Sequence, residues 1–125
     1  MKNLNLLKAL LLLFILNSVS NLSYAQFQGP GGADKTYSVK EIIDNPSRLD
    51  RSDALVKVQG YIVKQINMDT YEFKDSTGFI LVDIDKKIIP TKPFNDKTEL
   101  ILIGEVDHDL LEPVEIEVEE VLFGN

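Results

Sequence analysis

Four polar residues near the carboxy-terminal end of the chain have the types and spacing of a weak metal site. Asp107, His108 and Asp109 are consecutive, and Glu112 follows in the same polar segment. Carboxylate oxygens and an imidazole nitrogen are common ligands of divalent ions such as zinc. An acidic segment of this kind is equally typical of a solvated turn between two strands. The sequence therefore supports two interpretations here, a divalent-cation site and an ordinary turn.

The side chains that most enzymes use for catalysis are scarce. The chain has one histidine and no cysteine, and no serine lies in a nucleophile-elbow pattern. Its many carboxylates fall in alternating segments where water would reach them, whereas acid–base catalysis needs two carboxyl groups in different environments. We therefore expect a protein that is not an enzyme and has no cofactor, apart from the divalent cation considered above.

The charge balance indicates which partners the protein can attract. The chain carries 13 Lys and Arg against 20 Asp and Glu, and losing Lys2 and Lys8 with the amino-terminal segment would leave 11 against 20, a net charge of −9. Nucleic-acid binding depends on basic side chains that displace counterions from phosphates, so we expect no nucleic-acid partner. An acidic surface attracts metal ions and polyamines, although it also serves solubility alone.

Residues 1–25 have the pattern of a cleaved secretory signal peptide. Basic residues come first, residues 9–16 form an apolar run, and Ser23 and Ala25 place small side chains before a cut at Gln26. The apolar run is too short to cross a bilayer, which takes about 20 apolar residues. We therefore expect a periplasmic protein that is not embedded in the membrane.

Two short segments precede the strands. Residues 26–37 are rich in glycine and poor in apolar side chains, which predicts a flexible leader. A helix should follow, because Ser38 and Glu41 have the capping-box spacing and the Asn45-Pro46 pair ends helical geometry. A helix of two turns is not stable alone, so we expect it to plug one end of the folded domain.

From Ala54 onward the apolar residues recur with a period of two, which predicts β-strands. Gly60 predicts a bend in a long first strand, and Ser76-Thr77-Gly78 predicts a hairpin between strands two and three. A connecting loop, strand four and strand five are predicted over residues 86–97, 98–106 and 114–119. This spacing predicts one mainly all-β domain over residues 38–125, a five-stranded oligonucleotide/oligosaccharide-binding (OB) barrel with a short amino-terminal helix.

Several segments, in this order and spacing, resemble the bacterial OB-fold (BOF) family. They are Gly60-Tyr61-Ile62-Val63-Lys64-Gln65-Ile66, Tyr71-Glu72-Phe73-Lys74-Asp75-Ser76-Thr77-Gly78, Val82-Asp83-Ile84-Asp85 and Gly104-Glu105-Val106-Asp107. Members of that family are small exported proteins, usually periplasmic and linked to stress tolerance. The resemblance covers essentially all of the chain after the signal peptide. The resemblance implies a periplasmic location and a part in stress tolerance, but it implies no chemical reaction.

OB barrels usually bind ligands on the outer face of their first three strands and in the flanking loops. Single-stranded nucleic acids need several aromatic rings on such a face to stack their bases. This face is mixed in charge and poor in aromatic rings, which suits a small polar ligand or a protein strand. The side chains that the alternation places there are Lys57, Gln59, Tyr61, Glu72, Lys74, Leu81, Asp83 and Asp85.

The predicted fifth strand carries a row of glutamates, Glu115, Glu117 and Glu119, on one face. Such a row protects an exposed strand edge from pairing with other chains, or it attracts a basic partner surface.

Taken together, the sequence predicts a monomeric binding protein of envelope stress tolerance that holds a small cationic or polar ligand. Two alternatives stay open, docking on an envelope protein through the acidic edge and weak buffering of divalent metal ions.

Overall fold

The computed structural model describes residues 35–124, which form two short helices followed by five strands. The predicted signal peptide and most of the predicted leader lie outside the described residues. The helices are α1 (Val39–Asp44) and α2 (Pro46–Ser52), and the strands are β1 (Leu55–Gln65), β2 (Thr70–Lys74), β3 (Phe79–Asp83), β4 (Leu100–Asp107) and β5 (Glu115–Phe123). The predicted mainly β architecture with five strands is confirmed.

The strands pair in a closed ring in the order β1-β2-β3-β5-β4, and β4 pairs back onto β1. All of these pairings are antiparallel except the one between β3 and β5, which is parallel. Because the ring is closed, the inner face of every strand packs in the core, and alternate residues along each strand are buried. Val56, Phe73, Val82, Leu102 and Ile116 are core residues from the five strands.

The long first strand serves both halves of the barrel. Its residues 55–60 pair with β4, and its residues 61–65 pair with β2. Gly60 is the last residue paired with β4, and a Cβ atom at this position would overlap the backbone carbonyl of Lys74. The predicted bend at Gly60 is thus a point of close backbone approach. The irregularity in the β1–β2 register lies slightly further on, between Ile62 and Lys64.

The first helix begins with the predicted capping box and docks on the β2–β3 hairpin. Ser38 and Glu41 form that box, and Val39 and Ile42 are buried in the core. The Val39 backbone N–H donates to Asp75 Oδ2 at 2.8 Å. Burial acts to raise the pKa of the Asp75 carboxyl, but hydrogen bonds from Thr77, Val39 and neighbouring amides outweigh it and lower the pKa. One ionised carboxylate thereby ties the helix to the hairpin.

A second helix begins where the sequence predicts only that the first one ends. Pro46 is the first residue of α2, a position where its missing N–H costs nothing. Leu49 is buried, and α2 packs against β4. Asp53 ends the helix in a left-handed conformation with φ of 49°. The proline therefore separates two helices, whereas its position in the sequence predicts only the end of the first.

The fifth strand is longer than predicted. Its residues 115–117, which include two of the glutamates, do not form a sheet edge. Residues 115–117 pair with β3 on one side and with β4 on the other. The prediction of an exposed acidic edge is therefore wrong for Glu115 and Glu117. Its physical reason is the parallel β3–β5 pairing, which joins segments far apart in sequence and leaves no local signal. Glu119 lies beyond the pairing with β3, next to an irregularity in the register with β4.

We predict that Gly60→Ala destabilises the barrel by about 1–3 kcal/mol, the usual cost of forcing extra volume into a packed site. Gly78→Ala is the matched control, because its Cβ would meet only Val39 Cγ1 at 3.6 Å. We expect the control to change the free energy of unfolding by about 0.5 kcal/mol or less. Urea unfolding monitored by circular dichroism measures both. Equal effects in the two variants would contradict the assigned role of Gly60.

Candidate functional site

An acidic face crosses three neighbouring strands on the outside of the barrel. Asp83 on β3 lies directly opposite Glu117 on β5, and Glu117 lies directly opposite Glu105 on β4. In the next row Glu115 on β5 lies opposite Asp107 on β4. We call these five carboxylates the acidic face. None of the five residues is buried.

The core fixes the direction of these carboxylates. Val82, Ile116 and Val106 are next to them in sequence on β3, β5 and β4, and all three are buried. Because side chains alternate between the two faces of a strand, burying these apolar residues turns the adjacent carboxylates outward. The same hydrophobic pattern that forms the barrel therefore assembles the acidic face.

No described basic side chain forms an ion pair with the acidic face. The two ion pairs among the described side chains, Lys35–Glu41 at 3.3 Å and Lys40–Asp44 at 2.7 Å, belong to the segment around α1. Like charges directly opposite on neighbouring strands destabilise a sheet. Salt reduces this repulsion without removing it. The acidic face is therefore a local destabilisation that the core has to offset.

The pKa of Glu115 shows this repulsion most clearly. Burial is the largest cause that raises the pKa of the Glu115 carboxyl above its ordinary value. The negative charges of Asp83, Asp107, Glu112 and Glu117 raise it further. Burial and these neighbouring charges all favour the protonated form of Glu115. A bound cation would reverse that balance, because an opposite charge nearby favours the ionised form.

Asp83 and Glu105 have raised pKa values for the same two reasons. Burial is the larger cause in each, and repulsion by neighbouring carboxylates adds to it. These neighbours are Asp69 and Asp85 for Asp83, and Glu119, Asp53 and Glu117 for Glu105. Repulsion thus extends across β3, β5 and β4 and into the loops beside them.

A cleft of about 370 Å³ adjoins the acidic face. We call it the acidic cleft. Its lining is mostly carboxylate and includes two apolar residues. The lining residues are Asp69, Asp83, Asp85, Glu117, Glu119, Ile88 and Val118. Carboxylate oxygens are the ligands of hard cations such as calcium, and a cleft lined by one sign of charge raises the local concentration of counterions. This arrangement suits a cationic ligand.

The structure does not bring the predicted metal residues together as a ligand set. Between residues 35 and 124, no group of three or more Asp, Glu or His side chains is arranged to hold a metal ion. Asp107 belongs to the acidic face, and Asp109 and Glu112 bracket a tight turn in which the Glu112 N–H donates to the Asp109 carbonyl at 3.2 Å. His108 Nδ1 is enclosed and has no hydrogen-bond partner.

The eight predicted ligand residues are spread over separate surfaces. Gln59 and Tyr61 line a polar cleft of about 460 Å³ beside α1. Glu72 and Leu81 line an apolar groove of about 260 Å³ between β3 and the β4–β5 loop, and Asp83 and Asp85 line the acidic cleft. Two lysines complete the set: Lys57 is bridged by the backbone of Thr36, and Lys74 is exposed above the ring of Phe79.

Sequence reasoning missed the role of Glu105 and of Asp69. It singled out Glu117, but only as part of an edge. Glu105 is a single carboxylate in a largely apolar strand, and its importance depends on the residue opposite. A signal was present in the alternation of β5, which placed its glutamates on one face. Nothing local indicates that Asp83 and Glu105 flank that face.

Comparisons with known proteins agree with this architecture. The solved structure of YgiW from Escherichia coli matches with a TM-score of 0.59 at 35% identity, covering 78% of this chain and 97% of that one. A Stn1–Ten1 complex from S. pombe matches with a TM-score of 0.56 at 15% identity, over 76% of this chain and 79% of that one, which shows a shared fold alone. The five-stranded, mainly β domain is thus an OB fold.

The family is equally clear. The model of the family described as bacterial OB fold (BOF) protein matches residues 18–122. The chain belongs to this family, as its motifs predict. Among curated proteins it is 40% identical over 99 residues to the calcium-regulated OB-fold protein CarO of Pseudomonas aeruginosa, covering 78% of this chain and 81% of CarO. It is 41% identical over 71 residues to YgiW of Escherichia coli K12, covering 57% of this chain and 54% of YgiW.

Neither helix within residues 35–124 has the length and apolar character that a membrane crossing requires.

The raised pKa of Glu115 predicts that stability falls as pH rises through its titration. The folded state holds this proton more tightly than the unfolded chain, so raising the pH above the ordinary value of about 4.3 costs stability. The lowered pKa of Asp75 acts oppositely, and its contribution is lost as pH falls below the ordinary value. We expect Glu115→Gln to lessen the loss of stability between about pH 4 and 6.

Urea unfolding at a series of pH values checks this expectation. Asp96→Asn is the matched control, because Asp96 is exposed in the loop between β3 and β4 and lies outside the acidic face. A parallel change in both variants would show that net charge, and not local repulsion at Glu115, sets the pH dependence.

Proposed function

We propose that this protein is a non-enzymatic binding module of the bacterial envelope that holds a small cationic ligand on its acidic face. The observation that carries the proposal is the uncompensated row Asp83–Glu117–Glu105 across three paired strands. A cation placed over this row would relieve repulsion that the free protein must bear. Ligand binding would then stabilise the fold, because it favours the folded state over the unfolded one.

The chemistry of the acidic face favours two classes of ligand, divalent metal ions and polyamines. The face offers carboxylate oxygens on three strands, and the acidic cleft beside it adds Asp69, Asp85 and Glu119. Because the described carboxylates do not form a preorganised cage, binding would rely mainly on the summed field of the face. Such binding is of moderate affinity and depends on salt.

The names of two relatives also support a non-enzymatic role connected with a cation. One of them carries the name calcium-regulated OB-fold protein CarO, and the names CarO and YgiW denote no enzyme. Together with the predicted signal peptide, the family resemblance supports a periplasmic location and a part in envelope stress tolerance. In this proposal the protein buffers or senses a cation outside the cytoplasm.

The alternative of docking through the acidic strand edge is less well supported. Glu115 and Glu117 already lie between two partner strands, so no further strand can pair with that part of β5. A basic partner surface could still approach the outward carboxylates. It would then compete with small cations for the same charges.

Titration calorimetry of the purified protein with calcium chloride, magnesium chloride and spermidine tests the proposal. We expect saturable binding of at least one of these cations. Glu117→Gln, at the centre of the acidic face, should weaken that binding by about threefold to tenfold, which corresponds to the loss of one partly solvated charge contact. The same variant should raise the free energy of unfolding by about 0.2–1 kcal/mol at low salt, since it removes the repulsion with Asp83.

Asp96→Asn serves as the control, because it removes the same charge from an exposed loop. It should leave both affinity and stability nearly unchanged. Equal weakening by the two variants would reduce the proposal to an effect of net charge. Absence of heat with all three cations at millimolar concentration would refute it.

A further inference from the structure

An apolar groove lies on the outer side of β3, beside the acidic face. It has a volume of about 260 Å³ and lies between the strands, α1 and the loop that joins β4 to β5. Its apolar lining includes Ile43, Phe79, Leu81, Pro113 and Val114. Phe79 is 56% exposed and Ile43 is 43% exposed. An outer barrel face would ordinarily carry polar side chains in these positions.

The same loop exposes two more apolar side chains. Leu110 and Leu111 occupy the centre of the turn that the hydrogen bond between Asp109 and Glu112 closes, and they are 95% and 97% exposed. Turn centres normally hold glycine, asparagine, aspartate or proline. Because they are almost fully exposed, these two leucines are hardly stabilised by packing against the rest of this chain. Apolar side chains exposed together beside a groove are typical of an interaction site.

Several carboxylates lie beside this apolar region. Glu72 lines the groove directly. Glu115 lies opposite the groove residue Leu81, and Asp107 and Glu112 are close enough to raise the pKa of Glu115. A positive charge also lies near the groove, because Lys74 Nζ is 5.9 Å from the centre of the Phe79 ring. The four carboxylates named here outnumber this lysine and make their side of the groove acidic.

The acidic charge beside the groove favours some possible binding partners over others. Anionic lipid headgroups would be repelled by Asp109, Glu112 and Glu115, so a membrane surface is disfavoured. A second copy of this chain would bring an identical acidic rim against the first. A protein segment that carries apolar side chains next to lysine or arginine satisfies both the groove and the rim.

We propose that this groove, together with Leu110 and Leu111, is a docking site for a partner protein segment with apolar side chains flanked by basic residues. Phe79 and Leu81 would receive the apolar side chains, and Glu72 and Glu115 would pair with the basic ones. The docking site shares Glu115 with the acidic face, but its apolar residues lie outside that face and can be tested separately from cation binding. It adds a macromolecular partner to the small ligand proposed above.

Fluorescence anisotropy with short labelled peptides tests this site. The probes are a peptide of alternating leucine and lysine, one of alternating serine and lysine, and one of alternating leucine and glutamate. We expect the leucine–lysine peptide to bind about tenfold or more tighter than the serine–lysine peptide, which can pair only with carboxylates, and we expect the leucine–glutamate peptide not to bind. Phe79→Ser and Leu111→Ser should each weaken it by about tenfold, the effect of losing a central apolar anchor.

Met68→Ser is the matched control, because Met68 is an exposed apolar residue (64%) that does not line the groove. It should leave peptide binding unchanged, and circular dichroism should show all three variants folded. Phe79→Ser should also keep the calcium or spermidine binding of the parent protein, which separates this inference from the cation proposal.

Several results would overturn the inference. Equal binding of the serine–lysine peptide would show that charge alone attracts the probe, and equal weakening by Met68→Ser would show that the groove is not involved. Sedimentation of the protein with phosphatidylglycerol vesicles, lost in Leu111→Ser, would assign the leucines to a membrane. A dimer in analytical ultracentrifugation that Phe79→Ser dissociates would assign the groove to a second copy of the chain.

Discussion

The parallel pairing between β3 and β5 holds the barrel closed, and the acidic face depends on it. Only the segments 81–83 and 115–117 take part in this pairing, yet it joins the β1-β2-β3 half of the ring to the β4–β5 hairpin. It also places Glu117 between Asp83 and Glu105. Closure and charge repulsion therefore occur at the same place. A sheet that stayed open between β3 and β5 would separate Asp83 from Glu117.

The rest of the fold compensates for this repulsion. A continuous apolar core runs from the strands to Val39 and Ile42 of α1, and Asp75 anchors that helix through an ionised carboxylate. At this anchor, hydrogen bonds from amides stabilise the charge, and the pKa is lowered. At Glu115, by contrast, burial and neighbouring carboxylates raise the pKa. The Asp75 carboxylate is thus satisfied and serves the fold, whereas the carboxylates of the acidic face lack such partners and suit a ligand.

The sequence predicts the strands well because their alternation is a local property. Val56, Val58 and Ile62 point inward as expected, and the family motifs identify the OB fold. The acidic face is different, because it depends on register between distant segments, and no local pattern indicates that Asp83 lies opposite Glu117. The second helix was missed for a related reason, since Pro46 both ends one helix and begins the next.

The division of the predicted ligand face into separate surfaces was likewise not predictable from local sequence patterns. None of the residues of this face is buried, but the helices and the β4–β5 loop divide the outer surface into a polar cleft, an apolar groove and an acidic cleft. Their positions follow from docking contacts that alternation alone does not contain. The exposed leucines at positions 110 and 111 were visible in the sequence, but only the turn shows that they face solvent.

Paramagnetic broadening by manganese is the most direct test of the central claim, that cations collect on the acidic face. In a nitrogen-15 spectrum of the labelled protein, substoichiometric manganese chloride should first broaden the amide signals of Asp83, Glu105, Glu115 and Glu117. Signals of Gln59 and Tyr61 in the polar cleft should persist. Uniform broadening, or broadening that begins in the turn around His108 and Asp109, would contradict the account.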